Sequence, residues 1–230
     1  MFNKKYKTIG MVVAMDKEIK PFFTEYGENI VEKTVGGYSV FECDINDKKV
    51  YLIKSGIGEI YAAAATEILI SVFNCEIIVN FGVCGSLNDN ISVCETVIVN
   101  GVVHYDFDLS EIDDVKVGQY PSYDVILKPS EELVNLALSV NSNVKTAICA
   151  SADKFVSKPS VKEKLVNDFN ADVCDMECAA ILLTSLNAGV PALIIKAVSD
   201  GNGGAEEFNR RVLEACKVYI DTIKVILERI

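Results

Sequence analysis

The sequence predicts a layered α/β domain whose sheet is partly antiparallel, on the basis of three observations. Short apolar runs rich in β-branched residues alternate along the chain with segments of helical periodicity. Two such runs, 38–44 and 50–54, follow a glycine pair and fit a hairpin. The composition, 50% hydrophobic and 24% charged, is that of a globular chain. We predict that residues 1–230 form a single domain.

The remaining elements follow from the same patterns in chain order. Residues 9–15 form a short buried strand, after which Asp16 is expected to cap a helix that carries Glu18 in its first turn. The later predicted elements are a helix over 61–73, strands over 77–81 and 93–104, an acidic loop over 106–123, a helix over 129–138, a strand over 146–150, a helix over 159–169 and a strand over 192–198. From Leu213 to Ile230 a 3-4 apolar spacing predicts an amphipathic helix packed on the sheet.

Charge and cysteine content exclude several classes of partner. The net charge is −11, from 22 basic and 33 acidic residues, which argues against nucleic acid and anionic membrane. The eight cysteines lie mostly in apolar runs and form no CxxC pair, so we expect buried thiols, with disulfides or a zinc site as the alternatives. The apolar stretch 9–15 is too short for a signal peptide or a membrane span. These observations predict a cytoplasmic protein.

Two carboxylates at strand ends mark the candidate site. Glu177 enters a helix from an apolar run, and Asp200 follows the strand that ends at residue 198. Small ligands bind in the crevice outside the C-terminal strand ends of open α/β sheets. A buried carboxylate needs a partner, and a ribose diol supplies one by donating two hydroxyls. The alternatives are ordinary roles: a first-turn acid at Glu177 or Glu18, and a turn cap at Asp200.

The single histidine, His104, limits other chemistries. A Ser-His-Asp or Cys-His arrangement would have to use it, and no GxSxG elbow is present. His104, Asp106 and Asp108 alternate and would share one face of an extended chain, which allows metal-ligand spacing but leaves a fourth ligand missing. We therefore expect no metal and no cofactor, and proton transfer by carboxylates with shifted pKa values.

Motifs along nearly the whole chain resemble the nucleoside phosphorylase/nucleosidase superfamily, and within it the bacterial 5′-methylthioadenosine/S-adenosylhomocysteine nucleosidases. The motifs keep the family's order and spacing, and they lie at 9–18, 54–58, 80–87, 104–106, 153–156, 175–177 and 197–200. The resemblance implies a three-layer α/β/α sandwich with a mixed central sheet, nucleoside phosphorylase-like. It also implies a homodimer, with residues 104–108 near the subunit interface.

The resemblance implies roles for individual residues. Glu18 would orient the attacking water, while Asp200, supported by Ser199, would protonate the purine at N7. Glu177 and Met176 would hold the ribose. The other residues implied in substrate binding are Gly85 beside the sugar, Phe155 stacked on the purine, Val156 reading the purine edge through its backbone, Lys196 and Phe208.

Two departures from the family pattern bear on the nucleophile. Val83 stands where the family usually has Ser or Thr, and Lys196 stands where it often has arginine. No arginine precedes position 210, whereas phosphorylases of this superfamily hold phosphate with arginine forks.

We therefore expect water to attack an oxocarbenium-like sugar. The predicted reaction is hydrolysis of methylthioadenosine and S-adenosylhomocysteine to adenine and the thioribose. The alternatives are a phosphorylase that uses phosphate and a non-catalytic nucleoside-binding sensor.

Overall fold

Nine strands and seven helices alternate along residues 6–140 and 144–230, the part of the chain that this computed structural model describes. The strands are β1 (Thr8–Val13), β2 (Val31–Val35), β3 (Tyr38–Ile45), β4 (Lys48–Lys54), β5 (Ile77–Ser86), β6 (Thr96–His104), β7 (Lys145–Ser151), β8 (Val173–Asp175) and β9 (Ala192–Asp200). The helices are α1 (Asp16–Tyr26), α2 (Glu59–Ser71), α3 (Glu131–Val140), α4 (Pro159–Phe169), α5 (Cys178–Ala188), α6 (Gly204–Val218) and α7 (Ile220–Arg229).

All the described strands belong to one mixed sheet. Its order is β2-β3-β4-β1-β5-β8-β7-β6-β9, and β9 pairs a second time, with β5. Strands β1, β5 and β9 run parallel, so their C-terminal ends meet at one edge. The extra β5–β9 pairing closes β5, β8, β7, β6 and β9 into a ring. The antiparallel β2-β3-β4 ribbon confirms the predicted hairpin and extends from the other side of β1.

Alternation along β1 shows how helices cover both faces of the sheet. Ile9, Met11 and Val13 pack with α1, α3, α6 and α7, whereas Val12 packs with α2 and α5. These side chains are fully buried. Burying apolar side chains on both faces is what stabilises a helix–sheet–helix arrangement. The three-layer α/β/α prediction is therefore confirmed.

The structure corrects the prediction for the C-terminal helix. Two helices replace the single one: α6 begins at Gly204, and the chain bends at Tyr219 before α7. Leu213 is 56% exposed, so the packed stripe does not include it. The Tyr219 ring is buried, and its hydroxyl donates to the Glu18 carbonyl at 2.7 Å, which ties the bend to α1.

The predicted helix cap at Asp16 was also wrong. The N-cap is Met15, and Asp16 is the first residue of α1, where its carboxylate pairs with Lys54 at 2.5 Å. Strand β5 runs five residues beyond its predicted end at residue 81, and β2 was not predicted at all. Among the described residues, none of the helices is long and apolar enough to cross a membrane.

Candidate active site

A cavity of about 360 Å³ opens at the C-terminal ends of β1, β5 and β9. Its lining combines four carboxyl groups with apolar and aromatic side chains. The lining residues are Ala14, Met15, Glu18, Ile57, Val83, Cys84, Gly85, Phe155, Cys174, Asp175, Met176, Glu177, Ser199, Asp200 and Phe208. The position matches the crevice that the strand-end rule predicts.

The carboxylate of Glu18 turns back from the first turn of α1 toward the strand ends. Its Oε2 accepts the N–H groups of Ala14 at 3.1 Å and Met15 at 2.8 Å, and its Oε1 accepts the Val83 N–H at 2.8 Å. A side chain at Gly82 would place its Cβ 2.5 Å from Oε1. Glycine is therefore required there, and the carboxylate is held rigidly against β5.

Glu177 stands at the start of α5 and is held by the glycine loop before α2. Its Oε1 accepts the Gly58 N–H at 2.9 Å. Gly58 has a φ of +107°, and a Cβ on it would lie 2.6 Å from Asp153 Oδ1. That same Oδ1 accepts the Glu59 N–H at 2.7 Å. The loop thus connects Glu177 to the beginning of α2 and to the segment that carries Phe155.

A buried lysine lies among the acids at this end of the cavity. Lys196 Nζ is 2.9 Å from Asp175 Oδ2, and both side chains are almost completely buried. Burial is the largest single influence and disfavours the charge of each. Their mutual attraction, together with hydrogen bonds to Asp175 and nearby acids around Lys196, outweighs it, so the pKa of Asp175 is lowered and that of Lys196 is held well above its usual range. The lysine also favours the charged forms of Glu18 and Glu177.

Glu177 and Glu18 keep raised pKa values despite the lysine. Burial, reinforced by the charge of Asp175, raises the pKa of Glu177 to about 7. Burial also raises the pKa of Glu18, against the opposing effect of Lys196 and the backbone donors. Of these neighbouring acids, Asp175 therefore ionises before Glu177 as the pH rises.

Asp200 ends β9 at the opposite end of the cavity. The Ser199 hydroxyl donates to its Oδ1 at 2.8 Å. Burial raises the pKa of Asp200, against the Ser199 hydrogen bond and the charge of Lys162. Lys162 is itself buried and donates to the carbonyls of Ser86 at 2.8 Å and Gly201 at 2.6 Å. A carboxyl with a raised pKa and an open side toward the cavity is suited to general acid catalysis.

Two aromatic rings form the outer wall of the cavity. Phe155 and Phe208 pack edge to face with their centroids 5.8 Å apart. Phe155 is 43% exposed and Ile57 is 53% exposed, so both lie at the mouth. An aromatic wall beside several carboxyl groups is suited to a ligand with an aromatic base and a polyhydroxyl sugar.

Eight of the ten residues proposed from the sequence line this cavity, and two do not. The side chain of Val156 is buried in a separate apolar cluster with Leu165 and Ala171. Lys196 lies behind Asp175, so the expectation of a direct substrate contact from its side chain is corrected to an ion pair within the protein.

Several residues of the site were not assigned a role from the sequence. Asp175, Asp153 and Ile57 fall inside recognised motifs, while Glu59 and Cys174 gave no signal beyond their position near glycines or strand ends. Glycines that follow strands, as at 56–58 and 82–85, are typical of turns and phosphate loops. In the structure, Gly58 and Gly82 make room for carboxylates instead.

The alternation of His104, Asp106 and Asp108 does not produce a ligand cluster. His104 Nε2 lies 3.1 Å from Asp106 Oδ1, and its Nδ1 lies 2.7 Å from the Tyr120 hydroxyl. Asp108 instead accepts hydrogen bonds from Ser110. None of these side chains lines the cavity.

The buried thiols bear on the zinc alternative. Cys149, Asp175 and Cys178 place their ligand atoms within 4.8 Å of one another. However, burial raises the pKa of both thiols, and Asp175 already pairs with Lys196. All eight cysteines are free, which agrees with the expectation of unpaired thiols.

The fold and the acid-lined cavity are those of an α/β protein with a small-molecule site at its strand ends. Residues 8–230 match the family model described as the phosphorylase superfamily, and the chain belongs to that superfamily.

Individual relatives cover almost the full length. The chain is 32% identical over 216 residues to the 5′-methylthioadenosine/S-adenosylhomocysteine nucleosidase of Staphylococcus haemolyticus (strain JCSC1435), which covers 91% of this chain and 94% of the relative. It is 29% identical over 229 residues to the nucleosidase of the same name from Buchnera aphidicola subsp. Schizaphis graminum, covering 96% of this chain and 97% of the relative. The native futalosine hydrolase of Helicobacter pylori strain 26695 superposes with a TM-score of 0.93 at 26% identity, over 97% of this chain and 98% of that one.

Proposed function

We propose that this chain is a nucleosidase that hydrolyses the N-glycosidic bond of 5′-methylthioadenosine and S-adenosylhomocysteine and releases adenine. The observation that carries the proposal is the convergence of Glu18, Glu177 and Asp200 on one cavity beside an aromatic wall. The nucleosidase relatives, which cover more than nine-tenths of the chain, support the choice of substrates.

The roles follow from the position of each acid. Asp200 donates its proton to N7 of the purine, which lets the C1′–N9 bonding pair leave with the base. Glu177 accepts hydrogen bonds from the ribose hydroxyls and opposes the positive charge that develops on the sugar. Glu18 orients a water whose oxygen forms the new bond to C1′, and it receives the proton that the water loses. A carboxylate has about four lone-pair sites, so three N–H donors leave Glu18 one for the water.

Charge favours water over phosphate as the nucleophile. The described lining of the cavity contains four carboxyl groups and no lysine or arginine. A phosphate dianion would have to enter beside these acids without a bidentate partner. Lys196 is buried behind Asp175 and is not among the lining residues, and its ammonium lacks the planar fork of an arginine. Proton transfer and electrostatics from protein side chains account for the chemistry without a cofactor.

A substrate panel tests the proposal. The purified protein is incubated with methylthioadenosine, S-adenosylhomocysteine, adenosine, inosine and futalosine, with and without phosphate, and free base is measured. We expect adenine from the two thioether nucleosides at rates independent of phosphate. Strict dependence on phosphate would identify a phosphorylase, and binding without base release would identify a sensor.

We further propose that residues 1–230 act as one domain in a cytoplasmic homodimer. The unbroken sheet supports one domain, and the free thiols support a reducing compartment. Exposed Ile57, Ile60 and Tyr61 form an apolar surface at the start of α2, beside the cavity mouth, and a second copy would cover it. Light scattering coupled to size exclusion tests the dimer, and a monomer mass at micromolar concentration would refute it.

A further inference from the structure

Lys162 connects helix α4 to the strand ends at the base end of the cavity. The residue is 4% exposed, and its Nζ donates to the carbonyl of Ser86 at 2.8 Å and to that of Gly201 at 2.6 Å. Ser86 is the last residue of β5, and Gly201 directly follows Asp200 at the end of β9. The ammonium therefore bridges the two strands at the point where the chain presents Asp200.

The ladder between β5 and β9 is irregular at the same point. Its register shifts between Cys84 and Gly85, and Asp200 pairs with Gly85 beyond the shift. A bulge disrupts the ladder hydrogen bonds locally, and bulges next to active sites serve to re-aim a side chain. The hydrogen bonds of Lys162 thus hold together two strand ends where the ladder itself is weakened.

The backbone that follows Asp200 is held from both helical layers. The Gly201 carbonyl accepts the hydrogen bond from Lys162 on α4, while the Gly201 N–H donates to Glu207 Oε2 on α6 at 2.8 Å. The same Oε2 accepts the Gly203 N–H at 3.2 Å. Both polar backbone groups of Gly201 therefore have side-chain partners, which fixes the direction in which the chain leaves Asp200.

Lys162 also acts on Asp200 through its charge. Within the described ranges it forms none of the ion pairs, so no carboxylate neutralises its ammonium at contact distance. The groups that reach the Asp200 carboxyl are the Ser199 hydroxyl on β9, Lys162 on α4, Glu207 on α6 and the Cys174 thiol on β8. Burial raises the pKa of Asp200, and the Ser199 hydrogen bond and the charge of Lys162 oppose that rise.

We propose that Lys162 is a positioning residue for proton donation by Asp200: it fixes the backbone that carries the acid and stabilises the carboxylate that remains. The inference rests on the proposed role of Asp200 as the general acid and extends it to a residue that does not line the cavity. The proton moves from the Asp200 carboxyl to N7 of the purine, and Lys162 keeps its own protons. Burial keeps the acid protonated beforehand, and the nearby positive charge favours its release of the proton.

Two substitutions separate the hydrogen bonds of Lys162 from its charge. Lys162→Met removes both, whereas Lys162→Gln removes the charge and retains an N–H donor. For adenine release from methylthioadenosine, Lys162→Met should lower kcat and kcat/KM together, by about tenfold to 10²-fold, with a smaller loss for Lys162→Gln. Because the acid must be protonated to act, the alkaline limb of the kcat profile should move to higher pH in both variants.

Lys164→Met is the matched control. It removes one positive charge from the same helix, but Lys164 is exposed and pairs with Asp168, so kcat and the alkaline limb should stay at the parent values. A parent-like kcat and pH profile in Lys162→Met would overturn the inference. A loss of kcat without movement of the limb would also overturn it, because a purely structural role would give that result. Thermal melting checks folding, and Lys162→Gln decides the matter if Lys162→Met does not fold.

A titration of the carboxyl itself separates this inference from the proposed function. Carbon NMR of protein labelled at aspartate follows the midpoint of Asp200, and the spectrum of Asp200→Asn assigns its signal. The midpoint should be higher in Lys162→Met and Lys162→Gln than in the parent. A higher midpoint in a protein whose parent releases no adenine supports the coupling of Lys162 to Asp200 and removes the nucleosidase. Adenine release by the parent, with an unchanged midpoint in both variants, keeps the nucleosidase and removes the inference.

Discussion

The two ends of the cavity hold charge in different ways. At the base end, Asp200 takes one hydroxyl donor and has a raised pKa, so it can carry a proton to the leaving group. At the sugar end, Glu18 and Glu177 lie close to a buried ion pair of Asp175 with Lys196. A lysine buried behind the lining thus stabilises several buried acids at the end that is proposed to face the sugar, which becomes cationic during cleavage.

The largest effect is expected at the base end. Asp200→Asn removes the transferable proton while preserving shape, so kcat for adenine release should fall by about 10²–10⁴-fold. Ser199→Ala removes only one hydrogen bond to the acid and should cost about tenfold or less. Steady-state kinetics with methylthioadenosine measures both. Turnover of the Asp200→Asn protein within threefold of the parent would remove Asp200 from its role.

Breaking the ion pair between Lys196 and Asp175 tests how much the pair contributes to the free energy of unfolding. Lys196→Met leaves Asp175 buried without its partner, so the free energy of unfolding should fall by about 3–5 kcal/mol. The double variant Asp175→Leu/Lys196→Met should recover much of that loss. Lys164→Met, which breaks the exposed pair of Lys164 with Asp168, should cost less than about 1 kcal/mol. Urea denaturation measures all three, and equal losses for the buried and exposed pairs would refute the account of the sugar end.

The rigid placement of the Glu18 carboxylate can be tested without substituting any of the acidic residues of the cavity. Gly82→Ala puts a methyl group 2.5 Å from Glu18 Oε1. Because misplacing a reacting group by about 1 Å can cost about 10²-fold, kcat should fall by about tenfold to 10²-fold. Gly27→Ala is the matched control, since nothing lies within 4 Å of a Cβ there and its φ is −67°. An equal fall in kcat for Gly82→Ala and Gly27→Ala would contradict the requirement for glycine at position 82.

A further effect expected at the sugar end is a dependence of stability on pH. Glu59 is buried behind Glu177, where its carboxyl accepts hydrogen bonds from Ser151 and Ala180. Burial, reinforced by Asp175, raises its pKa to about 8. Between the unfolded pKa of about 4.3 and this value, the folded state holds more protons, so Glu59 lowers the free energy of unfolding as pH rises.

Glu59→Gln removes that contribution. The Tm of the variant minus the Tm of the parent should therefore increase from pH 5 to pH 8. Scanning calorimetry at pH 5, 6.5 and 8 measures the difference. A Tm difference that stays constant or decreases would show that Glu59 does not hold a proton in the folded state.

Local sequence patterns predicted the parts of the fold that local forces determine. Helix α4 spans residues 159–169 as predicted, because Pro159 begins it and Asn170 in the left-handed region closes it. Strand β2 was missed because it is mostly exposed and lacks an apolar pattern. The end of β5 was missed because its glycines suggested a turn, whereas they give space to carboxylates from other elements.

The candidate site also contains residues that local sequence patterns predict and a contact that they do not predict. Glu18, Glu177 and Asp200 could be found because each stands where an apolar run meets a helix or a turn. The pairing of Lys196 with Asp175 could not be found, because it joins the end of β8 to the middle of β9 across β5. Such contacts depend on sheet order, which the spacing of residues along the chain does not specify.

The central claim is that water attacks a sugar held between the acids of the cavity, and an isotope experiment tests it most directly. The parent enzyme is given methylthioadenosine in H₂¹⁸O with about 50 mM phosphate present, well above the usual KM range of about 1 μM–1 mM. The sugar product is identified by mass spectrometry. We predict methylthioribose with one ¹⁸O at C1 and no sugar phosphate. Methylthioribose 1-phosphate without ¹⁸O would contradict the account.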